Sequence, residues 1–249
     1  MSLPRFFAPE IVPGEPCLLS SEEGHHLRDV LRLGPEKRIF LLNGQGQEWE
    51  ARVLEVAKTQ VWVFPENLHR AEPKPDFRLE LLMPLLKGGR SEFLVEKATE
   101  LAATRIIPVL SRYTVVKPVE KIKTRLQKRA IQALKQSGRL WLPEIEAPRK
   151  LQESLVRLEA SYRYFAYERG GIPLAEVFES FEIFPERLAL AVGPEGGFSE
   201  EEVRLFEKFD FEALDLGPYI LRAETAVLFL LSVWRYQVLR VQGRPSNTL

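Results

Sequence analysis

The sequence predicts an α/β protein, with a mostly parallel sheet covered by helices on both faces and a small β-rich module before it. From about residue 77 onward, apolar runs of strand length alternate with segments of helical periodicity, as is typical of parallel α/β sheets. The preceding residues form mainly strand-like runs. A polar, Pro-rich stretch at 65–76 separates the blocks like a linker. We therefore expect one domain over residues 1–70 and a second over residues 77–249.

The first block contains a strong hairpin signal. Asn43-Gly-Gln-Gly46 joins two apolar-rich runs, and Asn and Gly both tolerate the positive φ angles of a tight turn. Apolar residues at helical spacing in Ser21–Leu33 predict a short helix. The predicted strands are Lys37–Leu42, Gln47–Val56 and Thr59–Phe64. Together these elements predict a small β-barrel.

The second block begins with a predicted strand and continues in strand–helix alternation. Pro118 is expected to open a long helix that ends near Ser137, because proline suits the first helical turn. Ser199 followed by three glutamates is a capping box, so another helix begins there. The other predicted elements are strands Leu79–Leu86, Arg105–Leu110, Tyr162–Tyr167, Arg187–Val192 and Ala213–Leu216, and helices Ser91–Ala103 and Arg222–Arg240.

Composition narrows the function classes. The single cysteine, Cys17, rules out an internal disulfide and a Cys-rich zinc site, so no metal site is expected. The sequence shows neither a signal-peptide pattern at its start nor an apolar run long enough to cross a bilayer. These features predict a soluble, cytoplasmic protein with no membrane partner.

The charge is unevenly distributed, although the net charge is zero. Between Arg112 and Lys150 there are eleven basic and three acidic residues, whereas the segment from Leu151 to the end has ten basic and sixteen acidic residues. A basic segment in a neutral protein is what a localised phosphate-binding face requires. The same pattern also fits a solvated helix face.

Two glycine turns each follow a predicted strand. They are Gly193-Pro-Glu-Gly-Gly-Phe-Ser199 and Gly217-Pro-Tyr-Ile-Leu-Arg222. Ligands of open α/β sheets bind beyond the carboxyl ends of strands, and glycine lets the backbone approach a flat ligand closely. Each motif alone is most often only a turn. Neither a G-x-G-x-x-G motif nor a P-loop is present, which argues against dinucleotide or P-loop nucleotide binding.

Taken together, the two turns resemble the cofactor motifs of SPOUT methyltransferases, in particular the branch that methylates uridine N3 in small-subunit ribosomal RNA. The resemblance spans nearly the whole chain. Arg5-Phe-Phe7 and Gly24-His-His-Leu27 resemble that family's N-terminal PUA-like RNA-binding domain. Lys97-Ala-Thr-Glu-Leu101 and Gln136-Ser-Gly-Arg139 resemble its central motifs.

The resemblance implies an enzyme that uses S-adenosylmethionine to methylate N3 of a specific uridine in the decoding region of 16S rRNA. It also implies a C-terminal α/β domain tied into a deep trefoil knot, a homodimer with the site near the subunit interface, and 16S rRNA in the small subunit or a late precursor as partner. By residue-by-residue correspondence, the cofactor contacts are Leu190, Val192, Gly193, Gly196, Leu216, Gly217, Ile220 and Leu221.

The chain departs from the family pattern at three places. Ser111-Arg-Tyr113 stands where relatives have Ser-Glu-Arg. Lys135 stands where glutamate commonly precedes Gln-Ser-Gly-Arg, and Ala223 where threonine is usual. These departures concern side-chain roles in the loops more than the cofactor pocket.

The residue types also constrain the chemistry. All three histidines and Cys17 lie before the α/β block, which therefore lacks a local thiol for covalent attack on a pyrimidine and a local histidine base. A ring nitrogen needs only deprotonation, alignment and nearby positive charge. Arg222 is the candidate for that charge, and Glu224 is either the base or a group that orients Arg222. Alternatively, both are ordinary residues of a helix start.

The candidate RNA contacts are basic or aromatic residues in both blocks, and for each of them a solvated surface position is the competing interpretation. They are His25, His26, Lys87, Arg90, Lys128, Arg129 and Arg139.

Two other functions remain open. One is a catalytically silent RNA-binding or ribosome-assembly factor on the same scaffold, and the other is a SPOUT methyltransferase that acts on a different RNA target.

Overall fold

The computed structural model describes residues 3–116, 120–181 and 185–242. They form two compact units. The first contains the described residues up to Lys74 together with Ile131–Leu142, and the second contains the rest. Leu134 and Leu140 pack with Leu42 in a small apolar cluster, so the segment 131–142 groups with the first unit. The expected division into 1–70 and 77–249 does not include this segment in the first domain, and those boundaries stay a prediction.

The first unit is built on a five-stranded sheet in the order β1-β3-β4-β5-β2. Strands β1 and β3 are parallel and the other pairs are antiparallel. Because β1 and β2 are the sheet edges, hydrogen bonding between them does not close the expected barrel in the described residues. The elements are β1 (Arg5–Phe7), β2 (Cys17–Leu18), α1 (Ser21–His25), β3 (Arg38–Leu42), β4 (Gln47–Val56) and β5 (Val61–Ala71), with a π-helical turn at His26–Val30.

The predicted hairpin is present between β3 and β4. The side-chain oxygen of Asn43 accepts hydrogen bonds from the backbone N–H groups of Gln45 and Gln47, at 2.8 and 3.1 Å. The helix predicted over Ser21–Leu33 is shorter than expected and changes from α to π geometry after His25.

The predicted linker was wrong in its first half. Strand β5 continues through Pro65 to Ala71, and only residues 72–76 lie outside regular structure. Pro65 lies opposite Ala51 beside a register shift in β4. A bulge tolerates proline because it leaves a ladder position without a hydrogen bond.

A mostly parallel sheet was predicted, and the second unit contains an eight-stranded sheet in which every described pair is parallel. Its order is β11-β13-β10-β12-β6-β7-β8, with β9 also paired to β7. The elements that follow β5 in chain order are β6 (Arg78–Pro84), α2 (Arg90–Glu100), β7 (Arg105–Leu110), α3 (Ile122–Ser137), β8 (Glu144–Ile145), β9 (Arg149–Lys150), α4 (Leu151–Leu155), β10 (Tyr162–Ala166), β11 (Ile172–Pro173), α5 (Leu174–Glu179), β12 (Arg187–Ala191), α6 (Glu200–Lys208), β13 (Glu212–Asp215) and α7 (Ala223–Gln242). All belong to the second unit except the end of α3, which from Ile131 onward belongs to the first.

Most long elements lie where they were expected, and the missed ones are short. Helix α3 ends at Ser137 as predicted, whereas Pro118, its expected first residue, lies outside the described residues. The Ser199 capping box is confirmed, since Ser199 and Glu202 bond each other's backbone N–H groups. The missed elements, such as the two-residue strand β8 and the five-residue helix α4, have too few residues to show a clear apolar period. No helix in the described ranges is long and apolar enough to span a membrane.

An aromatic cluster in the second unit packs α6 against strand β10 and the turn after β12. Phe165 of β10 stacks on Phe206 of α6, with ring centroids 4.6 Å apart. Phe198 meets Phe206 edge-on at 4.8 Å. These fully or nearly fully buried rings hold the turn after β12 against the sheet, because aromatic pairs bury large apolar areas in specific geometries.

Candidate cofactor site

Three neighbouring strands end at one edge of the parallel sheet. Strand β10 lies between β12 and β13 and is parallel to both. The segments that follow them are Tyr167-Glu168 after β10, Val192–Ser199 after β12 and Leu216–Arg222 after β13. The two glycine turns noted in the sequence therefore lie on either side of a third strand end.

These segments enclose a cavity of about 410 Å³, which lies within the size range of small-molecule and cofactor sites. Seven of the eight expected cofactor residues line it, and the eighth, Leu190, does not. Leu190 lies within β12 and is fully buried in the sheet. The seven are Val192, Gly193, Gly196, Leu216, Gly217, Ile220 and Leu221.

Glycine is required at two positions in these turns. A Cβ atom on Gly196 would lie 2.9 Å from the Cβ of Tyr113, so this turn packs directly beneath the Tyr113 side chain. Gly217 has a φ of +110°, which residues with a side chain rarely adopt. Its N–H donates to the Asp215 carboxylate at 2.8 Å. The aspartate two residues before Gly217 thus helps to shape the second turn.

Sequence reasoning missed the contribution of β10. Ala166, Tyr167 and Glu168 all line the cavity. A Cβ atom on Gly197 would lie 3.2 Å from Glu168 Oε1, so this carboxylate packs over the first glycine turn. This contribution could have been predicted, since β10 was a predicted strand and ligands of open α/β sheets bind beyond the carboxyl ends of strands.

The residue types that line the cavity suit S-adenosylmethionine. Gly193, Gly196, Gly197 and Gly217 are among them, and glycine lets the backbone approach a flat purine ring closely. Glu168 and Glu195 also line the cavity, and acidic residues suit a ligand that carries sulfonium and ammonium charges. Among the described residues, no group of His, Cys, Asp and Glu side chains could hold a metal ion.

The two candidate catalytic residues do not interact with each other. Arg222 is exposed and lines the cavity, and within the described chain no carboxylate lies within ion-pair distance of its guanidinium. Glu224 pairs with Arg90 instead, at 3.2 Å from its Oε1 to Arg90 Nη1. Glu224 is not one of the residues that line the cavity. Both residues were expected to border the cavity, and only Arg222 does so.

Arg90 was expected to contact RNA, but its guanidinium is occupied by protein groups. Besides Glu224, it pairs with Glu195 at 2.5 Å and donates from Nε to the carbonyl oxygen of Lys87 at 3.0 Å. The pKa of the Glu195 carboxyl lies below its ordinary value, chiefly because its own backbone N–H donates to it and further because of Arg90. Lys87 itself is exposed.

The basic helix α3 is partly neutralised by α2. Arg125 pairs with Glu92 at 2.6 Å, and Arg129 with Glu96 at 3.3 Å. Lys128 is exposed. Lys117, part of the same basic run, lies outside the described residues.

The remaining RNA candidates lie in the first unit. His25 is exposed, and its Nδ1 lies 2.6 Å from Asp29 Oδ2. His26 is half-buried against the Phe6 ring, with centroids 5.9 Å apart. Arg139 follows Gly138, where the chain leaves α3, and its side chain is half-buried. The two histidines therefore have different surroundings.

The departures from the family pattern have structural explanations. Tyr113 covers Gly196, and the backbone N–H of Arg112 donates to Glu202 at 2.8 Å. Both contacts connect the loop after β7 to the segment that follows β12. Ala223 is buried at the first turn of α7 and lines the cavity. Lys135 forms a buried ion pair within the first unit.

Comparison with known proteins identifies the family. Residues 72–235 match the model of an RNA methyltransferase domain, and residues 19–66 match that of an RNA methyltransferase PUA domain. Ribosomal RNA small subunit methyltransferase E of Bacillus subtilis is 30% identical over 90% of this chain and 91% of its own length. The corresponding Synechocystis protein is 29% identical over 88% of this chain and 72% of its own.

Solved structures agree with this relationship. A Legionella pneumophila methyltransferase, in complex with bound S-adenosylmethionine, has a TM-score of 0.87 and 29% identity, covering 95% of this chain and 98% of its own. Ribosomal RNA small subunit methyltransferase E from Neisseria gonorrhoeae, bound to S-adenosylmethionine, has a TM-score of 0.83 and 28% identity, covering 94% and 97%. The chain thus belongs to the RNA methyltransferase family that includes ribosomal RNA small subunit methyltransferase E, with an N-terminal PUA-like domain and an S-adenosylmethionine-dependent α/β domain.

Proposed function

We propose that this enzyme methylates N3 of a specific uridine in the decoding region of 16S rRNA, in the small subunit or a late precursor. The observation that carries the proposal is the cavity formed by two glycine turns beside β10. Arg222 lies at its wall and has no ion-pair partner among the residues that the structure describes. The relatives named above are small-subunit ribosomal RNA methyltransferases. A ribosomal substrate also supports a cytoplasmic location.

The cofactor supplies an electrophilic methyl group when it is bound. The chain's own part is to hold the uracil ring so that N3 faces that group, and to stabilise the negative charge that forms when N3 loses its proton. Arg222 is the proposed source of that positive charge, near O2 or O4 of the base. Leu216, Ile220 and Leu221 line the cavity next to it and help to exclude water.

Glu224 has a different proposed role from that of a base in contact with the uracil. Its Oε1 is held by Arg90, and the cavity lining includes its neighbours Arg222 and Ala223 but not Glu224 itself. We infer that it supports the start of α7, which carries Arg222. Proton removal from N3 is then left to solvent or to another group at the cavity mouth.

The proposal includes a trefoil knot and a homodimer. The order of strands supports the knot, since β12 lies between β10 and β6, far from its sequence neighbour β11.

Exposed aromatic residues on α7 support the homodimer. Phe229 and Tyr236 are seven residues apart, on one face of the helix, and are 41% and 61% exposed. Replacing both by glutamate should yield monomers in sedimentation velocity.

The test of function is the position of the methyl group. Purified protein, labelled cofactor and small subunits from a strain lacking the endogenous enzyme should yield labelled 3-methyluridine at one site, located by nuclease digestion and mass spectrometry. Methyl transfer to a ribose hydroxyl or to transfer RNA would establish a different target. RNA binding with no transfer to any RNA would favour the assembly-factor alternative.

A further inference from the structure

A single guanidinium connects two walls of the cofactor cavity. Arg90 is the first residue of α2, and its Nη2 lies 2.5 Å from Glu195 Oε1 while its Nη1 lies 3.2 Å from Glu224 Oε1. Glu195 belongs to the turn after β12, and Glu224 to the first turn of α7. The two carboxylates are contributed by segments that are 29 residues apart in sequence. Glu195 itself lines the cavity, and Glu224 directly follows two lining residues, Arg222 and Ala223.

Each nitrogen of this guanidinium has a protein partner. Besides the two carboxylates, Nε donates to the Lys87 carbonyl at 3.0 Å, which fixes the plane of the group. A planar guanidinium can hold two carboxylates in a defined geometry, and a lysine ammonium cannot reproduce this fork. Because every nitrogen of the Arg90 guanidinium already donates to a protein group, the side chain is poorly placed to bind a phosphate.

Because the Glu224 carboxylate is largely buried, it depends on its ion pair with Arg90. The Glu224 side chain is 17% exposed, and its Oε2 is buried without any hydrogen-bond partner. The single bond from Arg90 is therefore what compensates this carboxylate in the described residues. Without it, a buried carboxylate would be left unpaired, which is strongly unfavourable. The first turn of α7 would then have to move so that Glu224 could reach water.

We infer that Arg90 is a positioning residue, which sets the separation between the glycine turn after β12 and the start of α7 and thereby shapes the cofactor cavity. This inference rests on the proposed identity of the cavity as the cofactor site. It replaces the expectation that Arg90 contacts RNA. Arg90 acts through Glu195 and Glu224, not through direct contact with the reacting groups.

The test compares two arginine variants. Arg90→Met should weaken S-adenosylhomocysteine binding at least tenfold in isothermal titration and lower kcat, with the RNA KM and the salt dependence of RNA binding unchanged. Arg187→Met is the matched control, because Arg187 pairs with an exposed glutamate at the opposite end of the sheet. It should leave cofactor binding unchanged. Arg90→Lys should recover only part of the loss, since one ammonium cannot hold both carboxylates.

Partial variants keep the inference testable if Arg90→Met does not fold. Glu195→Gln and Glu224→Gln each remove one of the two ion pairs and should each weaken cofactor binding. Adding Arg90→Lys to either variant should then cost less than it does in the wild type, because the contacts are shared. Additive losses would overturn the inference.

Two other outcomes would also overturn it. Normal cofactor affinity with a reduced salt slope for RNA binding would make Arg90 an RNA contact. A lower melting temperature with normal cofactor affinity and kcat would leave Arg90 a purely structural residue. Failure of the proposed function is distinguishable, because the wild-type protein itself would then bind no cofactor or transfer no methyl group.

Discussion

Lys135 Nζ lies 2.6 Å from Glu23 Oε1, and both side chains are largely buried, at 16% and 8% exposure. The second carboxylate oxygen of Glu23 accepts the backbone N–H of Phe7 at 3.2 Å. The pair therefore joins α3 and α1 to strand β1 within the first unit. Lys135 was grouped in the sequence with the basic, phosphate-binding run, and this pairing removes it from that surface.

We expect Lys135→Met to lower the free energy of unfolding by about 3 kcal/mol, because it leaves a buried carboxylate without its cation. Urea unfolding monitored by circular dichroism is the measurement. Lys123→Met, an exposed position on the same helix, should stay within about 0.5 kcal/mol of the wild type. Adding Glu23→Gln to Lys135→Met should recover part of the loss. No recovery would mean that the loss does not arise from the unpaired charge.

The two glycine turns should be essential for cofactor binding. A Cβ atom on Gly193 would lie 3.1 Å from the backbone of Gly197, and Gly217 has a φ of +110°. Gly193→Val and Gly217→Val should therefore abolish S-adenosylhomocysteine binding in isothermal titration while leaving the fold largely intact. Gly34→Val is the control, since nothing lies within 4 Å of its added Cβ. Unchanged affinity in both turn variants would exclude this cavity as the cofactor site.

RNA affinity should fall steeply with salt if α3 meets phosphates. Each lost phosphate contact reduces the slope of log K against log salt by about 1, so reversing the charges of Lys128 and Arg129 should reduce it by up to about 2. Arg129 should contribute the smaller share if its pair with Glu96 persists. The control is charge reversal at Arg204 and Lys208, exposed residues on α6. If the wild type and both double variants gave the same slope of log K against log salt, α3 would not contact phosphates and its basic face would simply be solvated.

Arg222→Ala should separate binding from catalysis. Cofactor affinity should be largely kept, because four of the residues that line the cavity are glycines, which offer only backbone contacts. Loss of an oriented positive charge should instead reduce methyl transfer about a hundredfold or more. Single-turnover transfer to 16S rRNA is the measurement. Wild-type turnover would leave Arg222 as an ordinary residue of a helix start.

Glu224→Gln should reduce transfer by a similar factor at every pH. The reason is that Glu224 pairs with Arg90 and does not line the cavity. If this carboxylate removed the N3 proton, the variant would be slow near neutral pH and recover as pH rises toward the ionisation of uridine itself. Such a recovery between about pH 7 and 9 would restore Glu224 as the base.

Acidification should weaken the contribution of Glu195 to the stability of the folded protein. Because its pKa is lowered in the folded protein, ionised Glu195 stabilises the fold above the unfolded value of about 4.3, and this stability is lost as pH falls through the lower folded value. The melting-temperature difference between the wild type and Glu195→Gln should be largest above about pH 5 and shrink below pH 4. A difference that grew at low pH would contradict the direction of the shift.

The sequence alone was sufficient for the elements whose signals are local. Strand β4 and the Ser199 capping box were predicted at the residues where they occur, because alternation and capping depend on near neighbours. The two glycine turns were recognised as a cofactor site through their motif, and they border one cavity.

Tertiary structure decided which distant residues meet. Nothing local to Arg90 indicated that it would hold Glu195 and Glu224, nor was Lys135 predicted to pair with Glu23, which lies 112 residues away. Pro65 lies in a strand because its cross-strand partner sits beside a bulge. Side-chain partners and strand register depend on how the chain packs in three dimensions, whereas periodicity and turn residues report only on nearby backbone.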